Sequence, residues 1–280
     1  MKTAQVNDIE IEYEVIGQGE PLLLIHGSNL ATGLAPMAAA LAVEAPSLQL
    51  VRYHRRGMAG SGGRDWPISI QQQAADALGL LDTLGLPSAH LLGYSYGAVI
   101  ALETALSAPA RVRSLALLEP ILTEVPSWTP FMTGMEPVMR LYAAGDMAGA
   151  ARTTFASHAG PGWRELVATA GPDALDLAVR DTELFYRAEW PAVTTWTLDE
   201  TRAAAVQSPV LSVIGTRSGS FFKEGRQLLH QRFARCKDVD IPGANHLLNL
   251  QAPELIAAAV ADFLPRRSSL NLDPPLNIHR

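Results

Sequence analysis

Residues 91–100 read Leu-Leu-Gly-Tyr-Ser-Tyr-Gly-Ala-Val-Ile, and this stretch decides the fold. The apolar residues before Gly93 are typical of a strand covered on both faces, and those after Gly97 are typical of a helix buried against the same sheet. Between them, Ser95 stands in a Gly-x-Ser-x-Gly frame, the pattern of a sharp strand-to-helix turn that lifts a serine oxygen above the sheet. By itself this pattern also fits an ordinary glycine-rich turn, so its meaning depends on the rest of the chain.

The composition favours one large domain with an ample apolar core. Hydrophobic residues make up 48% of the 280 residues and charged residues 18%, which excludes a disordered chain. The net charge of −6, with scattered Lys and Arg, offers no basic surface for nucleic acid. A single cysteine, Cys236, excludes an internal disulfide and fits a reducing compartment. With no signal-peptide pattern and no apolar run of membrane-spanning length, we expect a cytoplasmic monomer or homodimer that binds neither nucleic acid nor membrane.

Apolar runs on both sides of residues 91–100 alternate between strand-like and helix-like patterns. Together they predict a mostly parallel sheet with helices on both faces, an α/β architecture. The expected strands lie at 9–16, 21–25, 48–53, 112–118, 210–214 and 239–241, and the expected helices at 34–43, 71–86, 222–233 and 253–263, besides the strand and helix around Ser95.

Residues 121–207 interrupt this alternation. They contain no strand-like run, only helical stretches separated by Gly and Pro, and they read as a helical insertion over the carboxyl ends of the strands, where such sheets place their sites. We therefore expect a core made of residues 1–120 and 208–265, a helical cap at 121–207, and a polar, proline-containing tail at 266–280.

A serine becomes a nucleophile near neutral pH when a base takes its proton and a carboxylate orients that base. Of the seven histidines, His246 is the candidate base, because it follows the last short strand and precedes the last helix. A loop there lies at the same edge of the sheet as Ser95. The alternative is a histidine that merely packs in its loop.

The chain resembles the capped α/β-hydrolases over essentially residues 8–265. The resemblance rests on several short pieces, each weak alone: His26-Gly27 after a strand, Arg56-Gly57 with Gly60-Ser61, the motif around Ser95, and Gly243 to His246 followed by Pro253-Glu254. It implies the α/β-hydrolase fold with a helical cap insertion, a chain order of serine, acid and histidine, and His246 in the histidine position.

The same resemblance implies an oxyanion hole. Its donors would be the backbone N–H of Tyr96, directly after the nucleophile, and the backbone N–H of Ser28 in the early loop. His26 would hold that loop rather than act as a second base, and the Ser28 hydroxyl either adds a donor or points at solvent. His54, Arg55 and Arg56 lie in a loop that is structural in relatives, with anion binding as the alternative.

The position of the acid departs from the family pattern. Relatives usually carry an aspartate shortly after the strand that follows the cap, and Ser218 stands there. Certain branches of the family, among them some lactonases, carry the acid at the end of the next strand, the one that follows the helix after Ser95. Glu119 stands at that position. We expect Glu119 to be the acid, with Glu224 and Asp240 as weaker alternatives. In the competing interpretation, Glu119 only caps backbone donors under the insertion.

These residues predict a serine hydrolase that cleaves a carboxylic ester or lactone of a hydrophobic small molecule through an acyl-enzyme. The same residues also serve C–C bond hydrolysis or peracid formation in this fold, and a non-catalytic small-molecule receptor is the alternative from another class. No metal or cofactor is expected, since no clustered ligand set is visible. The candidate substrate-binding residues, all in the insertion, are Trp190, Trp196 and Met132.

Overall fold

An eight-stranded sheet organises the computed structural model, which describes residues 1–264; residue 265 of the expected core and the expected tail at 266–280 lie outside the described residues. The order across the sheet is β1-β2-β4-β3-β5-β6-β7-β8. The strands are β1 (Lys2–Val6), β2 (Ile9–Ile16), β3 (Glu20–Ile25), β4 (Leu48–Tyr53), β5 (Ala89–Tyr94), β6 (Val112–Leu118), β7 (Val210–Gly215) and β8 (Cys236–Ile241).

Most of the sheet is parallel. β2 pairs antiparallel with β1 and β4, and every other pairing is parallel. Parallel strands need crossover connections, and the helices between them supply these crossovers. The registers align the carboxyl ends of the central strands: Ile25 of β3 pairs with Gly93 of β5, and Tyr94 of β5 pairs with Leu118 of β6. The residues that directly follow these strands therefore meet at one edge of the sheet.

Helices cover both faces of the sheet, which explains why the central strands are apolar throughout. The helices of the core are α1 (Ala35–Glu44), α2 (Ile70–Thr83), α3 (Tyr96–Ser107), α10 (Ser220–Arg232), α11 (Leu248–Gln251) and α12 (Pro253–Phe263). Side chains of β3 alternate between the faces: Leu22 and Leu24 pack in the same cluster as α1 and α12, while Leu23 and Ile25 pack with α2 and α3.

Within the described residues, the chain between β6 and β7 forms helices only. They are α4 (Trp128–Ala143), α5 (Met147–Ala159), α6 (Trp163–Ala168), α7 (Ala174–Leu184), α8 (Trp190–Thr195) and α9 (Glu200–Ala204). A π-helical turn, Phe185–Glu189, joins α7 to α8. We call these helices, α4 to α9 with the π-helical turn, the cap.

The predicted fold class, a mostly parallel sheet flanked by helices, is confirmed. Two short elements were not foreseen. β1 reads Lys-Thr-Ala-Gln-Val and is largely exposed at the edge of the sheet, so it lacks the apolar pattern of a buried strand. α11, a single turn after His246, is too short to show a helical period.

No helix among residues 1–264 combines the length and the apolar character needed to cross a membrane.

Candidate active site

The turn between β5 and α3 holds Ser95 in a conformation that few residues adopt. Ser95 has φ 55° and ψ −117°, and its N–H donates to the Leu118 carbonyl at 2.8 Å. A side chain at either flanking glycine would collide with backbone: a Cβ at Gly93 would lie 2.5 Å from the Ala98 Cα, and one at Gly97 would lie 2.2 Å from the Ile25 carbonyl oxygen. The Gly-x-Ser-x-Gly pattern is thus required by close backbone packing, and the strain is held by the surrounding structure.

His246 reaches this serine from the loop after β8. Its Nε2 lies 3.0 Å from the Ser95 Oγ, within hydrogen-bonding distance. Two contacts fix the histidine: the Tyr94 hydroxyl donates to the His246 carbonyl at 2.7 Å, and the Phe222 ring stacks on the imidazole with centroids 4.4 Å apart. These contacts hold the imidazole in the plane where it can accept the serine proton.

Glu119 directly follows β6 and completes a chain of hydrogen bonds. Its Oε2 lies 2.7 Å from the Nδ1 of His246, and the side chain is fully buried. The residue has φ 47°, a second strained backbone position at this edge of the sheet. Its other oxygen, Oε1, accepts hydrogen bonds from the Gly215 N–H at 2.8 Å and from the Ser218 hydroxyl. A buried carboxylate needs such donors, and here both of its oxygens are satisfied.

The weaker acid candidates lie elsewhere and have other partners. The Glu224 carboxylate accepts from the Ser127 N–H at 2.7 Å and from the Ser127 hydroxyl at 2.6 Å, so it holds the start of the cap. Asp240 pairs with the Arg226 guanidinium at 2.6 Å. Of the carboxylates considered from the sequence, Glu119 is the one that contacts His246.

The loop after β3 lies directly against the serine. A Cβ built on Gly27 would lie 3.2 Å from the Ser95 Cβ and 2.8 Å from the Tyr94 ring. Within residues 1–264, neither the Ser28 nor the Tyr96 backbone N–H donates a hydrogen bond to a protein acceptor. Both donors therefore remain available beside the Ser95 hydroxyl, as an oxyanion hole requires.

His26 and Arg55 hold this loop in place. The Nδ1 of His26 lies 2.7 Å from the Gly27 carbonyl oxygen, and its Nε2 accepts the Arg55 N–H at 3.0 Å. The Arg55 guanidinium donates to the His26 carbonyl at 3.0 Å and to the Gly27 carbonyl at 2.9 Å. Burial, with the nearby Arg55 charge, lowers the pKa of His26 well below its usual value, so its ring is neutral and can accept. The structure thus places His26 as a support for the loop.

The guanidinium groups of Arg55 and Arg56 are both occupied by internal carboxylates. Arg55 forms a fully buried ion pair with Glu189 of the cap. Arg56 contacts Asp76 at 2.8 Å and Asp8 at 2.6 Å. These pairs argue against the anion-binding alternative, because an external anion would have to displace a carboxylate from each of them.

Ser95 and His246 open into a narrow pocket between the sheet edge and the cap. The space open to the centre of a water-sized molecule is about 50 Å³. Among residues 1–264, those that line it include no Lys, Arg, Asp or Glu. The wall is formed by Ser28, Asn29, Leu30, Tyr94, Ser95, Ile121, Phe131, Met135, Thr154, Phe155, His158, Phe185, Trp190, His246 and Leu247. Such a wall suits an uncharged, mainly apolar molecule.

Of the three substrate-binding candidates, Trp190 lines this pocket and the other two do not. The Trp196 indole N–H donates to the buried Glu103 carboxylate at 2.8 Å, which directs the ring toward α3. Met132 packs against the hydrophobic core, and its neighbours on α4, Phe131 and Met135, face the pocket instead. The position of each residue around the α4 axis decides which side chains face the pocket. The sequence alone does not reveal which face of α4 turns inward.

His158 of α5 was not selected from the sequence, yet it lines the pocket. Its ring meets the His246 ring edge-on with centroids 4.9 Å apart. Burial, and secondarily the nearby His246, lowers the pKa of His158 from 6.5 to about 3. It is therefore a neutral imidazole at physiological pH. The available signal was that His158 is the one histidine of the insertion at 121–207.

A possible metal site lies on the outer side of β8. Ligand atoms of His230, Cys236 and Asp238 come within 4.8 Å of one another. Asp238 also contacts the Arg226 guanidinium at 3.5 Å, a positive charge that disfavours a cation there. None of these residues lines the pocket, so this cluster has no part in the chemistry at Ser95.

Comparison with known proteins gives consistent matches. Residues 20–253 match a family model described as the alpha/beta hydrolase fold. A provisionally named carbamate hydrolase, RutD, of Azorhizobium caulinodans is 37% identical over 119 residues, covering 42% of this chain and 44% of the relative. A 2-hydroxymuconate semialdehyde hydrolase of Pseudomonas putida is 31% identical over 140 residues, covering 45% and 49%. The matched segments span less than half the length of these curated relatives.

One solved structure shows the likeness over nearly the whole chain. The enol-lactonase from Burkholderia xenovorans LB400 superposes with a TM-score of 0.77 at 24% identity, covering 94% of this chain and 99% of that one. At this level of identity the comparison establishes the shared fold alone.

Proposed function

The chain belongs to the alpha/beta hydrolase fold family, and from this premise we propose that it is a serine hydrolase that cleaves a carboxylic ester or lactone of an apolar small molecule. The observation that carries the proposal is the continuous hydrogen-bonded chain from the Ser95 Oγ through His246 to the buried Glu119. Serine, base and orienting carboxylate are the three groups that acyl transfer needs, and here they are in contact.

The proposed reaction proceeds in two halves. In the first, the Ser95 Oγ attacks the substrate carbonyl while His246 Nε2 accepts the serine proton, and Glu119 stabilises the imidazolium that forms. The backbone N–H groups of Ser28 and Tyr96 stabilise the oxyanion. His246 then protonates the departing alkoxide as the bond between carbonyl carbon and oxygen breaks. In the second half, water attacks the acyl-enzyme with His246 as base, and Ser95 regains its proton.

The groups in the pocket favour an ester or lactone over a carbon–carbon bond. An alkoxide leaves once His246 protonates it, so the three residues and the oxyanion hole suffice. A carbon leaving group departs only where the substrate itself stabilises the carbanion, as a conjugated ketone does, because within residues 1–264 the pocket wall offers no charged side chain for this. C–C bond hydrolysis and peracid formation are the alternatives that a substrate survey would reveal.

The narrow pocket also limits the size of the substrate. The apolar wall beneath the cap favours a small or medium-sized molecule over a polymer. A substrate bound under the cap would be shielded from water during the reaction.

A covalent probe tests the proposal. A fluorophosphonate should add its phosphonyl group to Ser95, detected as a mass increase on the intact protein and located by peptide mapping, while Ser95→Ala should remain unlabelled. Activity should then be surveyed with p-nitrophenyl esters, apolar lactones and a vinylogous diketone matched in size. Failure to label Ser95, with no ester or lactone hydrolysed, would favour the receptor alternative. Labelling with cleavage of the diketone alone would favour C–C hydrolysis.

A further inference from the structure

We propose that the pocket contains a polar subsite, formed by the side chains of Ser28, Asn29 and His158, that binds a hydroxyl or amide group of the substrate close to its scissile carbonyl. The inference rests on the proposed hydrolysis and narrows its substrate class. The preferred substrate would be an apolar ester or lactone that carries one such hydrogen-bonding group within a few bonds of the carbonyl carbon.

Two buried oxygens in the pocket wall have no hydrogen-bond partner in the protein. They are the Asn29 Oδ1 and the Ser28 Oγ. Asn29 is only 3% exposed, so its amide oxygen cannot be satisfied by bulk water while the cap is closed. A buried acceptor without a donor destabilises the free protein, and a ligand that supplies the donor removes this penalty.

The loop holds Asn29 in an unusual conformation. Its φ is 61°, and the Leu30 N–H donates to the Ser28 carbonyl at 2.8 Å, which closes a three-residue turn around Asn29. Asparagine tolerates this region better than most residues, yet such a turn is strained. The turn therefore fixes the backbone from which the Asn29 side chain extends.

Four polar side chains of the wall already have partners. The Tyr94 hydroxyl donates to the His246 carbonyl, and the Thr154 hydroxyl donates to the Ala150 carbonyl at 2.9 Å. Ser95 and His246 bond to each other. Ser28, Asn29 and His158 keep free hydrogen-bonding capacity, and among the wall residues of the described chain they share this with the Trp190 indole N–H, which is a donor only.

His158 contributes from the cap. Within residues 1–264, no protein group forms a hydrogen bond with the His158 ring. Its neutral imidazole offers one donor and one acceptor. A permanent positive charge at this distance from His246 would oppose formation of the catalytic imidazolium, and a neutral ring does not. The cap thus supplies a hydrogen-bonding group without adding charge to the pocket.

The position of Asn29 in the chain sets the position of the substrate group. Asn29 directly follows Ser28, whose N–H is a proposed oxyanion donor, and consecutive Cα atoms lie about 3.8 Å apart. Because Ser28, Asn29 and Ser95 line the same pocket, we place the group that contacts Asn29 near the carbonyl, on the α or β carbon of the acyl part. The Oδ1 is an acceptor, so a substrate O–H or N–H fits it.

Substrate discrimination tests the subsite. The probes are p-nitrophenyl hexanoate and its α-hydroxy and α-methoxy derivatives, which differ in the group offered to Asn29, and the β-hydroxy derivative covers the next carbon. We expect the better hydroxy ester to exceed the unsubstituted ester by about 10-fold or more in kcat/KM, after correction for the intrinsic reactivity of each ester. The methoxy ester, which has no donor, should show no advantage.

Variants assign the preference to the subsite. Asn29→Gly tolerates the positive φ and removes the amide, and it should reduce the hydroxyl preference, measured as the ratio of the two kcat/KM values, to about threefold or less. His158→Phe and Ser28→Ala should each reduce the preference in part. Thr154→Val is the matched control, because its hydroxyl lines the same pocket but already has a partner, and it should leave the preference unchanged.

A binding measurement separates this inference from the proposed reaction. In Ser95→Ala, calorimetry should show tighter binding of methyl α- or β-hydroxyhexanoate than of methyl hexanoate, and adding Asn29→Gly should abolish the difference. Equal affinity for all esters, or an equal loss of rate for every ester in Asn29→Gly, would overturn the subsite even if esters are hydrolysed. A hydroxyl preference in binding without any turnover would instead support the subsite and reject the hydrolase.

Discussion

The Ser218 hydroxyl donates a hydrogen bond to the carboxylate of Glu119, which in turn contacts His246 at 2.7 Å. The resemblance to capped hydrolases places an acid at residue 218, and the serine found there bonds instead to an acid that extends from the neighbouring strand. The carboxylate is thereby fixed from the side of β7 even though it belongs to the end of β6.

The first prediction concerns the acid. Glu119→Gln should lower kcat by about 10²- to 10⁴-fold, because the amide removes the charge partner of the imidazolium and disturbs its tautomer. Glu224→Gln is the control, since its carboxylate bonds to Ser127 at the start of the cap, and it should change kcat by less than about threefold. Steady-state kinetics on one ester would measure both, and the reverse ranking would contradict the assignment of Glu119.

Ser218 itself should have a smaller effect. Ser218→Ala removes one donor from the Glu119 carboxylate while the Gly215 N–H remains, so we expect kcat to fall about 5- to 30-fold, equivalent to about 1–2 kcal/mol. Ser218→Thr retains the hydroxyl and should recover much of the rate. A Ser218→Ala protein with unchanged kcat would show that the hydroxyl does not help to position the carboxylate.

The nucleophile is tested by Ser95→Ala, which should lower kcat by about 10⁴-fold or more. The methyl group fits the same space beside Gly27, so the melting temperature should stay close to that of the unchanged protein. Circular dichroism and a thermal melt would verify the fold before kinetics are compared. Hydrolysis at more than about one hundredth of the original rate would exclude Ser95 as the attacking group.

The buried pair between Arg55 and Glu189 joins the loop at residues 26–28 to the cap. Both side chains are about 1% exposed, and Arg55 also contacts the Gly27 carbonyl. Glu189→Gln leaves the arginine charge without its partner, so the free energy of unfolding should fall by about 3–5 kcal/mol. Chemical denaturation would measure this change.

A double variant separates charge from packing at this pair. Arg55→Met with Glu189→Leu removes both buried charges together and should be more stable than Glu189→Gln alone. It should still show a reduced kcat, because the carbonyls of His26 and Gly27 lose the donors that fix the loop. Full activity in a folded double variant would show that the loop does not depend on Arg55.

We expect the folded protein to lose stability at acidic pH, because folding lowers the pKa values of several histidines. His158 has a pKa of about 3 in the folded protein against an ordinary 6.5, so between these values the unfolded chain binds a proton that the folded chain does not. Stability is therefore full above about pH 6.5 and falls as the pH drops toward 3. Burial also lowers the pKa values of His26, His54 and His90, and each of these adds to the loss of stability at low pH.

Thermal melts at a series of pH values would test the predicted loss of stability on acidification. The melting temperature should fall from pH 7 to pH 5, and His158→Phe should fall less steeply, since about one proton fewer is taken up on unfolding. His230→Gln is the control, because that ring is exposed and bonds to Asp238 on the surface. A His158→Phe curve parallel to the unchanged protein would contradict the neutral state of His158 in the folded protein.

Strong local patterns made the core predictable from the sequence. Continuous apolar runs located β3 to β7, and the glycines around Ser95 located the turn that lifts it. The contact between Ser95 and His246 followed from topology, because residues after parallel strands meet at one edge. The resemblance to branches that carry their acid at the end of this strand anticipated Glu119, and the structure brings it to His246.

The cap was predictable as helical but not in its details. Which face of α4 turns inward depends on tertiary packing, so Met132 was expected in the pocket wall where Phe131 and Met135 lie. The partner of Arg55 could not be foreseen either, because Glu189 lies 134 residues away in sequence within a π-helical turn. Long-range polar pairs of this kind have no periodic signature.

The chain position of Glu119 makes the core modular. Ser28, Ser95 and Glu119 all precede the cap in sequence, and His246 alone follows it. An insertion between β6 and β7 can therefore change in length or be grafted from another protein without altering the spacing between nucleophile and acid. With an acid after β7, every exchange of the cap would separate those two residues by a different length of chain. Such an exchange must still return Ser218 and His246 to Glu119, and it must keep a carboxylate for Arg55 in place of Glu189.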